Sequence, residues 1–190
     1  MGDRRKGVGR REKTERMAKA ASSALRTSAG VEVAGWTILA HPLFLAQMEK
    51  LVVAAESEQS SQRPNTRLLA HLLDLAFDKV PADPGNPMFR HGGTLGAERK
   101  NWFRAKTGNG RYRLFYRFQS SAKIIVYAWV NDEESLRTYG SKTDAYATFA
   151  RMLDGGNPPN DWDSLIGAAS KKSAAQRLVA LSKRSNRKRK

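Results

Sequence analysis

The stretch NWFRAKTGNGRYRLFYRFQSSAKIIVYAWV, residues 101–130, decides the fold. It contains three runs rich in aromatic and β-branched residues, Asn101 to Lys106, Arg111 to Phe118 and Lys123 to Val130, and a Gly-Asn-Gly turn separates the first two. Such side chains suit a pleated surface, and Gly-Asn-Gly accepts the positive φ of a tight hairpin, so the stretch reads as an antiparallel meander. Upstream, Gly35 to Ala40 reads as a first strand, and Pro42 is placed to open a helix at its first position. Phe44, Met48, Leu51, Val52 and Ala55 recur at helical spacing until a polar run from Ser57 ends the pattern. A second helix starts near Asn65, with Leu69, Leu72, Leu73, Ala76 and Val80 on its apolar face and Pro81 and Pro84 closing it.

Between this helical hairpin and the meander lies Pro81 to Lys100, with three prolines and four glycines, a connection long enough to suggest a functional loop. Downstream, Ser141 and Asp144 resemble a capping box, Ala145, Phe149 and Met152 form a helical stripe, and Gly155-Gly156-Asn157-Pro158-Pro159 stops it. A short segment around Trp162 to Ile166 packs back. The expected order is β-α-α-β-β-β-α, an α+β fold with the helices on one side of a small antiparallel sheet.

The net charge of +16 is concentrated at the ends. Residues 1–30 carry nine Lys/Arg against three acids and residues 171–190 carry nine against none, leaving residues 31–170 almost neutral. The expected organisation is a basic N-terminal extension (1–30), one folded domain (31–170) and a basic C-terminal tail (171–190). Both ends read as solvated or partly helical extensions that attract polyanions without reading sequence. With no cysteine, disulfides, thiolate zinc sites and thiol nucleophiles are excluded. No apolar run reaches the roughly 18 residues of a membrane helix, and no secretory signal is evident, so the expected location is the cytoplasm.

Inside the near-neutral region, Arg90 to Arg117 holds eight Lys/Arg and one acid, Glu98, interleaved with Trp102, Phe103, Tyr112, Phe115 and Tyr116. Cations alternating with stacking surfaces suit single-stranded nucleic acid, although charges on an exposed strand face are often only solvated. Strand alternation puts Trp102, Arg104 and Lys106 on one face, and Arg111, Arg113, Phe115 and Arg117 on one face. A four-residue loop, Thr107 to Gly110, sets Lys106 opposite Arg111 and Arg104 opposite Arg113, crowding four cations together; a three-residue loop turns the two sets to opposite faces. The four-residue loop is the expectation. Opposed cations repel unless an anion lies between them, and a scissile phosphate supplies that anion. A second group, Arg137, Tyr139, Lys142, Asp144 and Tyr146, follows in LRTYGSKTDAY. Lys142 and Tyr146 lie one helical turn apart; Tyr146 could stack a base or relay a proton, though spacing favours the edge of the core. Asp144 reads as a cap. Of the three histidines, His41 and His71 read as structural and His91, on the basic loop, as the chemical one. No ligand spacing points to a metal, and no cofactor is expected.

The motifs GW…AHP, FRHG…LG, GNGRYRLFYRF, WVNDEESLRTYGSKTDAY and GNPP.DW together resemble the YhaV family of bacterial type II toxins over Gly35 to about Leu165. The resemblance implies the RelE/ParE superfamily fold, a small antiparallel sheet with a helical hairpin. It implies a metal-independent endoribonuclease that cuts mRNA, usually on the ribosome, and is inhibited by an antitoxin similar to PrlF. In such enzymes the RNA 2′-hydroxyl attacks its own phosphate, helped by basic residues and often a tyrosine or histidine. The superfamily's KxK…YR motif falls on Arg104, Lys106 and Arg113. An arginine at 104 stays protonated, which makes Lys106 the better base. With Arg137 and Tyr146 these form the expected catalytic set, and His91, Arg111, Arg117, Tyr139 and Lys142 the expected substrate contacts. The rivals are a ParE-like gyrase inhibitor of the same fold that cleaves nothing, and a plain RNA- or ribosome-binding module.

Overall fold

Five strands form one sheet in the order β1-β2-β5-β4-β3, with β1 at Val31–Val33, β2 at Trp36–Ala40, β3 at Phe103–Thr107, β4 at Tyr112–Gln119 and β5 at Ile124–Val130. The computed structural model of the chain describes residues 30–58, 63–136 and 144–187. The meander β3-β4-β5 is antiparallel as expected, but β2 runs parallel to β5, with Thr37 opposite Ile124. The sheet is therefore mixed, which corrects the antiparallel expectation. A parallel neighbour needs a long crossover, and the helical hairpin following β2 carries the chain to the far edge, from which the meander returns. The three-residue β1, paired with β2 across Ala34 and Gly35 at positive φ, is too short for its alternation to register in sequence.

Helix α1, Pro42–Glu56, opens as expected with Pro42 in its first turn, and the Nδ1 of His41 accepts from the Leu43 N–H at 3.3 Å. Helix α2, Pro64–Asp74, is capped from the preceding loop, where the Glu58 carboxylate accepts from the N–H groups of Asn65 and Thr66. It continues through a π-helical turn, Leu75–Lys79, into Val80–Ala82. Pro81 has no N–H to continue the ladder, and the Tyr127 hydroxyl donates to the Ala76 carbonyl at 2.6 Å, tying this turn to the sheet.

Among the described residues three further helices follow: α3 at Ala145–Asp154, α4 at Trp162–Ala169 and α5 at Lys172–Arg187. They overturn the one-sided arrangement, because the sheet has a core on each face. On one face Ile38, Leu114, Tyr116, Ile125 and Tyr127 pack against α1 and α2. On the other, Leu39, Phe115, Val126 and Trp129 pack against Phe149 and Leu153 of α3 and Leu165 of α4. A β-bulge between β4 and β5 brings Trp129 into this second core. Phe115 pairs with Trp129 but Tyr116 with Tyr127, so Ala128 is the extra residue and Trp129 stays on the Phe115 side.

The C-terminal segment, expected as a solvated or partly helical extension, is a docked helix. Ala174, Leu178 and Leu181 of α5 lie in the first core, and Ala175 lies in the second. Its basic residues read as solvated because the apolar stripe is narrow. Arg177 pairs with Glu49 through two hydrogen bonds of 2.6 and 2.7 Å, and Arg184 with Glu56 at 2.6 Å, aligning α5 along α1. The N-terminal extension lies outside the described residues, apart from Gly30.

His41, 4% exposed, has its pKa lowered from 6.5 to about 4, first by burial and then by the nearby Lys171 charge. The folded state keeps this imidazole neutral while the unfolded state protonates it. Its stabilising contribution is therefore complete above pH 6.5 and is lost as pH falls toward 4. Denaturant titrations at pH 7.5 and 4.5 should differ by up to about 3 kcal/mol from this group, and His41→Asn should flatten that part of the difference.

Candidate active site

The β3-β4 hairpin turns through Gly108, Asn109 and Gly110, all at positive φ, the conformation the Gly-Asn-Gly sequence anticipates. Thr107 pairs with Tyr112, so the loop is Gly108–Arg111 and the register is two residues from the expected one. Lys106 faces Arg113 and Arg104 faces Phe115. A two-residue slip preserves the faces, so Arg104, Lys106, Arg113 and Arg117 remain on one side of the ladder. The four-cation square does not form: Lys106 and Arg113 are the one directly opposed cationic pair, and Arg111 sits exposed in the turn.

The interleaved aromatics are core, correcting their reading as stacking surfaces. Trp102, Phe103, Tyr112, Phe115 and Tyr116 are all buried, and Phe115 stacks on Phe149 with centroids 4.2 Å apart. With helices on both faces of the sheet, aromatic side chains of either strand parity have a core to enter.

Three of the expected catalytic residues come together. The Arg104 Nε donates to the Tyr146 hydroxyl at 2.9 Å, and another of its nitrogens donates to the Met88 carbonyl at 2.6 Å. The Arg113 guanidinium lies over the Tyr146 ring, 5.2 Å from its centroid. Tyr146 is placed by α3, whose first turn is capped by the Asp144 carboxylate accepting from the Tyr146 N–H at 2.9 Å. Asp144 is a cap as expected, but as the N-cap of a helix that starts at Ala145 rather than as the third residue after Ser141, which lies outside the described residues. Arg113 is only 4% exposed, yet it forms no ion pair among the described residues, and its Nε has no hydrogen-bond partner there. Its one guanidinium bond among the described residues is a long one, 3.4 Å to the Arg111 carbonyl. Burying a cation without a carboxylate is costly, and an anion supplied from outside would offset that cost.

Lys106 departs from this cluster at its tip. Its exposed side chain lines a cleft of about 300 Å³ with Arg67, His71 and Lys79, where α2 approaches the hairpin. Arg117 lies further along β4, its guanidinium 5.2 Å from the Trp162 ring centroid and 5.6 Å from that of Trp102, and it donates to the Asn160 carbonyl. His91 is buried inside the long loop: its Nδ1 accepts from the Leu95 N–H at 3.4 Å, and its Nε2 lies 3.1 Å from the Arg99 carbonyl. Both ring nitrogens brace the loop. Arg137, Tyr139 and Lys142 lie outside the described residues.

Asn131 is a residue that sequence reading missed. Its Oδ1 accepts from the Arg113 N–H at 2.6 Å, and its amide donates to the carbonyls of Arg111 and Ser135 at 3.1 and 3.0 Å. It thereby ties the start of β4, and with it Arg113, to the end of β5. A polar residue directly after an apolar strand was the available signal.

Among the described residues no three His, Asp or Glu side chains are grouped as metal ligands, and no helix is long and apolar enough to cross a membrane. A family model described as a toxin with endonuclease activity, of a toxin-antitoxin system, matches residues 38–170. Toxin YhaV of Escherichia coli O6:H1 is 44% identical over 140 residues, which cover 70% of this chain and 91% of that protein. The ribonuclease toxin YhaV of Escherichia coli K12 is 43% identical over the same coverage. No solved structure matches. From this coverage, the chain belongs to the YhaV family of toxins with endonuclease activity.

Proposed function

We propose that this protein is a cytoplasmic toxin that cleaves mRNA without a metal, on a RelE-like site built from Arg104, Lys106, Arg113 and Tyr146. Family membership supports nuclease chemistry, and the name of the K12 relative supports RNA as the substrate. The observation that carries the reading is Arg113, a buried guanidinium with no carboxylate bonded to it among the described residues. In the proposed reaction the 2′-hydroxyl attacks its adjacent phosphorus, forming a P–O2′ bond and breaking the P–O5′ bond. The products are a 2′,3′-cyclic phosphate and a free 5′-hydroxyl. Arg113 and Arg104 take the charge that grows on the pentacoordinate phosphorane, which fixed guanidinium groups favour over the ground state. Lys106, whose backbone is paired with Arg113 on the edge strand, would swing its exposed side chain out of the cleft beside α2 and, as the free amine, take the 2′-hydroxyl proton. Tyr146 hands a proton to the departing O5′. His91 serves by holding the loop that supplies the Met88 carbonyl to Arg104. The ribosome as the site of action and a PrlF-like antitoxin as inhibitor belong to the same proposal. The basic N-terminal extension would add attraction to RNA of any sequence.

End-labelled mRNA incubated with the full chain, with and without ribosomes and in excess chelator, tests this. Chelator-resistant cleavage that leaves cyclic phosphate ends is expected. No cleavage under any condition, with tight binding to gyrase or to intact RNA, would replace it with one of the non-enzymatic readings.

A further inference from the structure

Strand β3 begins at Phe103, opposite Tyr116, so Arg117, Phe118 and Gln119 of β4 run on past its end. The notch left there is a cleft of about 450 Å³ whose lining includes Arg90, Lys100, Arg117, Phe118, Gln119 and Trp162, and no carboxylate. Arg90 and Lys100 are exposed, while Phe118 and Trp162 are half-buried. Unlike the aromatics of the hairpin core, these two rings are reachable. Asp161, the acid that acts on Arg117, is engaged as the cap of α4, accepting from the Ser164 N–H at 2.8 Å.

Gln119 gives the cleft a direction. The Trp162 indole N–H donates to its Oε1 at 3.2 Å. An indole nitrogen can only donate, so the amide oxygen must face the tryptophan and the NH₂ end is left to offer. Cations, flat aromatic surfaces and an oriented amide donor match an unpaired nucleotide: its phosphate, the face of its base and an acceptor on the base edge. An acidic protein segment would use the cations but leave the rings and the amide without a purpose. Arg113 and Arg117 are four residues apart on one strand, about 13 Å, so one RNA strand could run from the Arg113 cluster into the cleft.

We propose that this cleft is a nucleotide subsite, which holds one unpaired base of the RNA against Trp162 and Phe118, with its phosphate between Arg90 and Lys100 and an acceptor edge toward Gln119. The inference rests on the ribonuclease reading and adds to it a second point of grip away from the reacting phosphate.

The test uses the full chain, a labelled single-stranded RNA for cleavage and its 2′-O-methyl version, which lacks the attacking hydroxyl, for binding. Trp162→Ala should weaken binding of the 2′-O-methyl RNA about tenfold and raise KM by a similar factor, with kcat near that of the unaltered protein. The double substitution Arg90→Ser with Lys100→Ser, at exposed positions, should lower the slope of log affinity against log salt by about 0.7, the loss of one neutralised phosphate on a single strand. If the unaltered protein binds and cleaves but neither variant changes affinity or KM, the subsite is wrong and the ribonuclease reading stands. Weakened antitoxin binding with RNA affinity intact would make the cleft a protein contact and overturn the proposal. If the unaltered protein neither binds nor cuts RNA, the ribonuclease reading fails and the subsite falls with it.

Discussion

Arg113→Met is expected to lower RNA cleavage about a thousandfold while leaving the protein at least as resistant to heat as before. The two effects separate because the side chain lies where a structural arginine has no reason to be. It is buried, stacked over Tyr146 and, among the described residues, bonded through its guanidinium only to the Arg111 carbonyl. Methionine fills similar space without a charge to desolvate, and replacing buried charge by a well-packed apolar group is often neutral or stabilising. The backbone bond from Arg113 N–H to Asn131 does not depend on the side chain, so the hairpin register should survive. Single-turnover cleavage and a thermal melt on the same preparation check the split. A large fall in melting temperature with cleavage retained would show that the arginine serves the fold and would move the chemistry elsewhere.

The largest expected loss of stability is at Phe149. Its ring stacks on Phe115 at 4.2 Å and on Trp129 at 5.8 Å, and meets Trp102 edge-on at 5.0 Å, so β4, β5 and the residue leading into β3 converge on one side chain of α3. Phe149→Ala should destabilise the protein by about 4 kcal/mol, through lost burial and a cavity that rigid rings cannot close. Because α3 also carries Tyr146, cleavage should fall under conditions where the protein is still folded. Denaturant unfolding followed by tryptophan fluorescence measures the first effect. A loss below about 1 kcal/mol would mean that α3 is not anchored through this ring.

The candidate site was only partly legible in the chain. The KxK…YR pattern led to Arg104, Lys106 and Arg113 because those residues are local to one hairpin, and strand alternation put them on one face. Tyr146 enters the expected catalytic set through the family resemblance, while its spacing alone favours the edge of the core; it is buried, and its bond to Arg104 spans 42 positions that no local pattern connects. Nothing in the spacing of Asn131 shows that its amide closes the end of β4, and nothing near His91 shows that its ring nitrogens are turned inward.

By itself the sequence determined the meander, the helical hairpin, the cap at Asp144 and the concentration of charge at the ends, because each follows from periodicity, turn chemistry or composition within a short window. The tertiary structure alone decided the parallel neighbour of β5, the second core beneath α3 and α4, the docking of α5 and the bulge at Ala128 that turns Trp129 toward Phe149. These depend on which distant surfaces meet, and alternation along a strand shows that a side chain faces one side or the other without showing what will cover it. That difference made the hairpin aromatics core rather than stacking surface, and left Arg113 buried with no ion pair among the described residues.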